Sequence, residues 1–335
     1  MTTVSQSSVA LALPALRSAL EREGARRGAM PDLPDTRWLA SRGRRSAAWQ
    51  LDWRAWLLSR FGPGADALQR CPAGASVRAL ATGSRDEGCW ACAQPVHLLT
   101  GLDRLRLAPL AGLELPPDEA HALADSINAA LAGSGYMLWP ANSGPWALAC
   151  PTDIECDTAD PVQVEGDDIR DCLPGGRDGA KIRKLTNELQ MLLHEHPINI
   201  RRAARGLAPV NSIWLWGFGR AREPAAGPLP ALCSDDTWLN GLWRLHDAEA
   251  RPLASAPGAL ATEPTLLIAA ADAGADPAAQ LDRWESELCA PLVAALRKGR
   301  IREASVLLGD APYTISRADR FAVWRRPRPW QELLT

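Results

Sequence analysis

A dense group of hydrogen-bonding side chains lies between His194 and Gly219, in the segment HEHPINIRRAARGLAPVNSIWLWGFG. It includes two histidines, two asparagines and three arginines. Arginine suits phosphate and carboxylate because its planar guanidinium group donates two parallel hydrogen bonds. The segment therefore predicts either a small-anion site or the polar end of a buried helix and strand.

We predict that four of these side chains converge on one concave site for a small anion, namely His196, Asn199, Arg202 and Asn211. A turn at Pro197 and a short helix ending at Gly206 would bring them together. A second group would support them: Asn187, Gln190, His194 and Arg205. The alternative is a structural role, because a basic group such as His196 stabilises the C-terminal end of a helix. Trp214 and Trp216 alternate with apolar residues, as in a strand buried on both faces.

Two helices and a strand must position this group. The segment DGAKIRKLTNELQMLLHE repeats apolar residues at helical spacing, with Asp178 as the predicted N-cap. This helix has to end before Pro197. A short helix ended by Gly206 and a strand ended by Gly217 and Gly219 follow.

Patterns elsewhere indicate an α/β protein. From about Ala91 to Cys150 the predicted order is strand, strand, helix, strand, strand. TLLIAAAD, QLDRWESELCAPLVAALRKG and EASVLLGD predict a parallel βαβ unit, and ISRADRFAVWRRPRPW adds one further strand. Trp49, Trp53 and Trp56 recur at helical spacing, which predicts a stripe of core residues.

Composition narrows the class of protein. The chain has 335 residues, 47% apolar and 23% charged, with a net charge of −2, which is typical of a soluble protein of two lobes. Arginine clusters such as Arg42, Arg44 and Arg45 are expected wherever composition favours arginine, so we predict no nucleic-acid partner. We expect no membrane span and no secretory signal, and therefore a cytoplasmic protein.

Cysteines and acidic residues offer weak metal signals. Cys89 and Cys92 form a C-x-x-C without a second pair at zinc spacing, so we expect neither a zinc site nor a stable disulfide between them. The acidic segment 153–171 lacks the glycine and the final glutamate of an EF-hand, which favours a solvated linker.

The segment that ends in SIWLWGFG resembles two known families. NELQMLLHEHPINIRRAARGLAPVNSIWLWGFG is similar to the signature of RpfE-type bacterial regulatory proteins, whose name links them to regulation of pathogenicity factors. More distantly it resembles a motif of archaeal-type cofactor-independent phosphoglycerate mutases, in the alkaline phosphatase superfamily. The matching positions are His196, Pro197, Asn199, Arg202, Gly206, Pro209, Asn211, Gly217 and Gly219.

The resemblance implies a fold and a division of the chain. We expect a reduced alkaline-phosphatase-like α/β domain, formed by residues 1–89 and 221–335, with an inserted α+β domain at 90–220. The mutases use two divalent metals and a Ser or Thr nucleophile, and this chain departs from that pattern. Asp272 and Asp310 have no histidine after them, because none follows His246, and Trp216 stands where the mutase motif has an arginine.

These departures predict a mutase-like pseudoenzyme without metal or cofactor, which binds a phosphorylated metabolite or another anion in a regulatory role. Its protein partner is not indicated. One alternative is an active phosphoglycerate mutase or other phosphoryl-transfer enzyme with rearranged ligands. Another is a protein-interaction module with tryptophan-rich surfaces.

Overall fold

A computed structural model describes residues 7–46, 52–61, 68, 71–83, 85–101, 103–141, 144–166, 168–221, 228–271, 276–321 and 330. The strands are β1 (Ser7–Leu13), β2 (Arg44–Arg45), β3 (Cys89–Val96), β4 (Leu98–Thr100), β5 (Leu105–Leu107), β6 (Met137–Trp139), β7 (Trp146–Cys150), β8 (Ser212–Arg220), β9 (Ala231–Ser234), β10 (Thr265–Ala269), β11 (Ile301–Leu308) and β12 (Ala311–Ser316). The helices are α1 (Leu16–Arg27), α2 (Pro34–Arg42), α3 (Trp53–Ser59), α4 (Ala73–Thr82), α5 (Pro117–Ala130), α6 (Gly179–His194), α7 (Pro197–Ala204), α8 (Thr237–Leu245), α9 (Ala256–Thr262), α10 (Pro277–Trp284) and α11 (Ala290–Arg297).

The chain forms two compact units. The first comprises Met1–Gln69, Ala225–Trp243 and Ala248–Thr335, and the second comprises Arg70–Pro224 and Arg244–Asp247. The domain boundaries predicted at residues 89/90 and 220/221 stay a prediction. In the structure the second unit already begins at Arg70, because α4 packs against β3 and β8 of that unit.

The first unit is built on a six-stranded sheet in the order β2-β12-β11-β1-β10-β9. The four strands from β11 to β9 are parallel, and β12 and β2 add antiparallel edges. The apolar run of β1 is buried at the centre because parallel sheets are covered by helices on both faces. Trp53 and Trp56 of α3 are also buried, as their spacing predicted, whereas Trp49 lies outside the described residues.

The predicted C-terminal βαβ unit is present, with β1 lying between its two parallel strands. Its helix is α10 and α11 joined by a π-helical turn, Glu285–Cys289. Pro291 lies just after this turn and lacks an amide hydrogen, which explains the irregular hydrogen bonding. The further strand is β12, which ends at Ser316, so the prediction that this strand runs on through residues 317–321 was wrong, and residues 322–329 lie outside the described ranges. Residues Arg317–Phe321 form a 3-10 helix in which Asp319 accepts the amide hydrogen of Ser316 at 2.9 Å.

The second unit is built on an antiparallel sheet in the order β6-β7-β3-β8. The predicted hairpin is found as β4 and β5, and α5, β6 and β7 follow in the predicted order, but three strands rather than two precede the helix, because β3 is separate from β4. Apolar side chains of α5 and α6 form one core with the sheet. The segment 153–171 is not a free linker, because Ile154, Val164 and Ile169 are buried. In addition, Asp168 forms an isolated antiparallel β-bridge with Arg106 of β5.

Strand β8 is an edge of this sheet, and the acidic segment contacts its outer side. The indole Nε1 of Trp214 donates to the carbonyl oxygen of Ala159 at 2.8 Å. The amide nitrogen of Gly217 donates to Thr158 Oγ1 at 3.2 Å. These two bonds hold the segment against the strand.

Candidate functional site

The predicted turn between helices falls at Pro197, as expected. Helix α6 ends at His194, and Pro197 is the first residue of α7, where its fixed φ and missing amide hydrogen are tolerated. Asp178 occupies the N-cap position of α6, but its carboxylate accepts the amide hydrogen of Glu155 at 2.8 Å instead. The two helices thus meet at a sharp corner that carries His196.

His196 caps the start of α7 rather than the end of α6. Its Nδ1 accepts the amide hydrogen of Ile198 at 3.3 Å, and its Nε2 lies 3.0 Å from Ser126 Oγ. Ser126 donates its own hydrogen to the carbonyl oxygen of Ala122, so Nε2 is the donor in this pair. Burial, and then the charge of Arg201, lower the pKa of His196. The side chain is therefore neutral, with its proton on Nε2.

Asn199 braces the chain on both sides of α7. Its Nδ2 donates to the carbonyl oxygens of Leu193 and Val210, each at 2.8 Å, and its Oδ1 accepts the amide hydrogen of Val210 at 2.9 Å. The side chain is buried. Three of its hydrogen bonds are thus made to backbone.

Arg202 is the most deeply buried charge of the segment, with 1% of the residue exposed. Its Nε donates to the carbonyl oxygen of Ala208 at 2.8 Å, and its Nη1 donates to the carbonyl oxygen of Glu114 at 2.9 Å. Nη1 also lies 2.6 Å from Oε2 of Glu119, which is buried too. Arg205 lies 3.6 Å from the other oxygen of Glu119 and remains 64% exposed.

Asn211 joins the start of β8 to the junction of β3 and β4. Its Oδ1 accepts the amide hydrogen of Leu98 at 2.7 Å, and its Nδ2 donates to the carbonyl oxygen of Leu98 at 2.8 Å. Two residues earlier, the carbonyl oxygen of Pro209 lies 2.9 Å from His97 Nδ1. Asn211 therefore behaves as an additional rung of the sheet.

Gly217 and Gly219, two glycines of the motif, allow helix α4 to lie directly on β8. Gly217 has φ +64°, and a Cβ atom there would come within 2.6 Å of the Ala73 Cβ. A Cβ at Gly219 would come within 2.4 Å of the Pro72 side chain. Glycine is needed because any other side chain would push the helix off the sheet.

The structure brings three of the four predicted site residues together on α7, but it turns them towards backbone and Glu119. Of the supporting group, Asn187 and His194 are exposed, whereas Gln190 donates to Ser212 Oγ at 3.0 Å. Arg205 is the arginine among these eight residues that presents its side chain to solvent. A ligand at this segment stays a prediction.

In the first unit, acidic residues follow the carboxyl ends of the parallel strands, where open α/β sheets bind ligands. Asp236 follows β9, and its Oδ2 lies 2.7 Å from Nη2 and 3.1 Å from Nε of Arg54. Both side chains are buried, and the guanidinium carbon lies 4.8 Å from the ring centre of Trp53. Asp236 also accepts the amide hydrogen of Leu239 at 2.8 Å, which caps α8.

A second carboxylate at this edge also faces an arginine. Asp310 follows β11, and its Oδ1 lies 2.7 Å from Nη2 of Arg17 in the first turn of α1. Metal-dependent phosphoryl transfer needs Asp and His ligands gathered around each ion. Among the residues that the structure describes, no three His, Cys, Asp or Glu side chains are placed to hold a metal ion. Asp272 lies outside the described ranges.

Sequence reasoning missed the partners of the buried arginines. Glu119 stands 83 positions before Arg202, and Arg54 stands 182 positions before Asp236. Glu119 lies in the first turn of α5, and Asp236 caps α8. Neither pattern reveals which arginine comes to lie beside it.

Comparison with known proteins finds relatives of one kind. No protein-family model matches the chain. It is 29% identical over 125 residues to the 2,3-bisphosphoglycerate-independent phosphoglycerate mutase of Methanosarcina barkeri, and 44% identical over 61 residues to that of Methanothrix thermoacetophila. These matches cover 37% and 18% of this chain and 31% and 16% of the relatives' own lengths. The similarity in sequence is therefore distant and local.

Similarity in fold extends further along the chain. A structure of the PH0037 protein from Pyrococcus horikoshii matches 93% of this chain and 87% of its own, with a TM-score of 0.50 and 14% identity. The cofactor-independent phosphoglycerate mutase of Thermoplasma acidophilum matches 92% of this chain and 89% of its own, with a TM-score of 0.38 and 17% identity. The predicted α/β fold class is confirmed, and over most of its length the chain shares the fold of the PH0037 protein. Within the described ranges, no helix is long and apolar enough to cross a membrane.

Proposed function

We propose that this chain is a non-catalytic, phosphoglycerate-mutase-like protein that binds a small phosphorylated metabolite in a regulatory role in the cytoplasm. The similarity to 2,3-bisphosphoglycerate-independent mutases supports the chemical class of the ligand. The regulatory role rests on the resemblance of residues 187–219 to RpfE-type proteins.

One observation carries the non-catalytic part of the proposal. At the edge of the parallel sheet, Asp236 and Asp310 each form an ion pair with an arginine, Arg54 and Arg17 respectively. The buried carboxylate of Asp236, in a bidentate pair with Arg54, has its acceptor sites occupied by fixed positive charge, whereas the pair of Asp310 with Arg17 is a single, half-exposed contact. Binding a divalent ion at Asp236 would require Arg54 to leave that carboxylate, and breaking a buried ion pair is strongly unfavourable.

The anion is proposed to bind beside α7, with Arg205 as its exposed donor. Arg202, Asn199, His196 and Asn211 then act as the frame that fixes this helix, because most of their hydrogen bonds go to backbone. Arg205 is held near Glu119 only at 3.6 Å and is 64% exposed, so an incoming phosphate can compete for it.

Metal analysis together with a mutase assay tests the proposal. The purified full chain should contain no stoichiometric divalent metal and show no turnover of 3-phosphoglycerate with added manganese or magnesium. In thermal-shift and calorimetric titrations, 3-phosphoglycerate should bind, and Arg205→Ala should weaken binding about tenfold, as expected for loss of one charge-assisted contact of about 1.5 kcal/mol. Lys184→Ala, which removes an exposed positive charge of α6, is the control.

Two results would overturn different parts of the proposal. Metal-dependent turnover that survives repurification would establish an active mutase, the principal alternative. If no phosphorylated compound raises the melting temperature of the protein, the proposal of a phosphorylated ligand is wrong. The interaction-module alternative draws no support from tryptophan-rich surfaces, because every tryptophan in the described ranges is buried or half-buried.

A further inference from the structure

Two cysteines that are 61 positions apart face each other across neighbouring strands. Cys89 is the first residue of β3, Cys150 is the last residue of β7, and the antiparallel register pairs them directly. Both thiols are free. Directly paired residues have Cα atoms about 4.5 to 5.5 Å apart, within the range of about 4.4 to 6.8 Å that a disulfide spans. The pair can therefore be bridged without rearranging the sheet.

The C-x-x-C of the sequence is not this pair. Cys92 lies further along β3 and is paired with Ala147 of β7 and Trp216 of β8. Within the described residues, Cys150 is the cysteine whose register places it opposite Cys89. The strand pairing thus identifies a dithiol that the spacing of cysteines in the sequence conceals.

The two thiols also interact electrostatically. Interaction with the Cys150 thiol is the main reason that the pKa of Cys89 falls to about 7, and the same interaction raises the pKa of Cys150. The pair therefore loses its first proton readily and retains the second, so that one thiolate and one thiol share a proton near neutral pH. This is the arrangement in which a thiolate is reactive and its neighbour can resolve the product.

Access comes from the position of the pair at the end of the ladder. Cys150 is partly exposed, and the chain leaves the sheet immediately after it at Pro151. Cys89 itself is buried, with 3% of the residue exposed. A small oxidant can reach the pair from the side of Cys150. An oxidising protein that carries its own disulfide could reach it only if the ends of β3 and β7 separated.

We propose that Cys89 and Cys150 form a reversible dithiol and disulfide pair that is oxidised by a small peroxide. The thiolate sulfur attacks one peroxide oxygen, the O–O bond breaks, and a sulfenic acid and, after proton uptake, one water are formed. The neighbouring sulfur, as its thiolate, then attacks the sulfenic sulfur. The S–S bond forms, and the hydroxyl group leaves as a second water after protonation. Two thiols are oxidised and one peroxide is reduced.

Closure would tie the start of β3 to the exit from β7, and so fix the point where the segment 153–171 begins. It would enclose the whole of α5, β6 and β7 in one covalent loop. The oxidised second unit should therefore unfold at a higher temperature than the reduced one, because its unfolded chain is more restricted.

Peroxide treatment of the reduced full chain tests this inference. With about one equivalent of hydrogen peroxide at neutral pH, the thiol count of the unfolded protein should fall by two from eight. Peptide mapping should find Cys89 joined to Cys150, and dithiothreitol should restore the eight thiols. In Cys150→Ser and in Cys89→Ser no disulfide should form, and in Cys150→Ser the remaining Cys89 should react more slowly with peroxide, because Cys150 is the main cause of its lowered pKa.

Cys172→Ser is the matched control, since Cys172 is also partly exposed but is not paired with a cysteine across a strand. It should leave the rate of disulfide formation unchanged. The inference is overturned if the mapped disulfide joins other cysteines, or if Cys172 is oxidised while Cys89 and Cys150 stay reduced. Since Cys150 is partly exposed at a strand end, Cys150→Ser remains informative should Cys89→Ser fail to fold.

Discussion

Replacing Arg202 by alanine separates a structural role of this residue from a ligand-binding role. The substitution would leave the buried Glu119 carboxylate without its 2.6 Å partner and the carbonyl oxygens of Ala208 and Glu114 without donors. Removing one member of a buried ion pair costs about 3 to 5 kcal/mol. Arg205 can approach Glu119 more closely, but an exposed pair returns only about 0.2 to 1 kcal/mol. We therefore expect the free energy of unfolding of the second unit to fall by roughly 3 kcal/mol.

Urea denaturation followed by circular dichroism measures this loss, with Arg201→Ala as the control. Arg201 precedes Arg202 in the same helix and is exposed, so its substitution should change the free energy of unfolding by about 0.5 kcal/mol or less. In the double variant Arg202→Met with Glu119→Gln, part of the loss should return, because the unpaired buried charge is gone. A change below about 1 kcal/mol for Arg202→Ala, accompanied by weaker binding of 3-phosphoglycerate, would refute the structural interpretation and favour the original site.

Three further results are expected. His196→Asn should keep the helix cap but reduce the loss of unfolding free energy at acidic pH. The pKa of His196 is lowered in the folded protein, so wild-type protein loses stability as pH falls from about 6.5 through the folded-state pKa. Urea midpoints at pH 7 and pH 5, compared between variant and wild type, measure the difference. Gly217→Ala should destabilise the protein far more than Gly206→Ala in melting experiments, since both glycines have positive φ but only Gly217 is closed off by a neighbouring helix; equal effects would contradict the packing argument. Asp236→Asn should lower the free energy of unfolding by about 3 kcal/mol in urea titration, because it breaks the closest ion pair of the buried Arg54 and leaves Asp52, at 3.9 Å, as the more distant carboxylate. An unchanged midpoint would show that the pair is dispensable.

Local signals in the sequence identified the elements around the motif. Pro197 and Gly206 bounded α7, and apolar spacing located α6, because caps, breakers and periodicity act within a few residues. The orientation of Arg202 was beyond such reasoning. It depends on Glu119, which reaches the same place only after α5 and α6 have packed on one sheet.

The same limit explains why the glycines were interpreted as strand ends. Gly217 and Gly219 lie within β8, which continues to Arg220. Glycine is needed at both positions because α4, a helix more than a hundred residues earlier in the chain, packs against them. The facing of Cys89 and Cys150 likewise depends on strand register, which is fixed by the burial of whole strands. Chemistry that arises from pairing between distant segments is the part that one sequence does not reveal.

The contacts of Thr158 and Ala159 with strand β8 have a consequence for the solubility of this protein. The strand runs through SIWLWGFG, an apolar stretch that two chains could join edge to edge in a continuous intermolecular sheet. The acidic segment accepts the amide hydrogen of Gly217 on that edge, holds the Trp214 side chain and brings negative charge beside the strand, so an approaching copy meets an occupied donor and electrostatic repulsion. Segment 153–171 thus acts as a gatekeeper against aggregation, built into the fold beside the stretch that needs it.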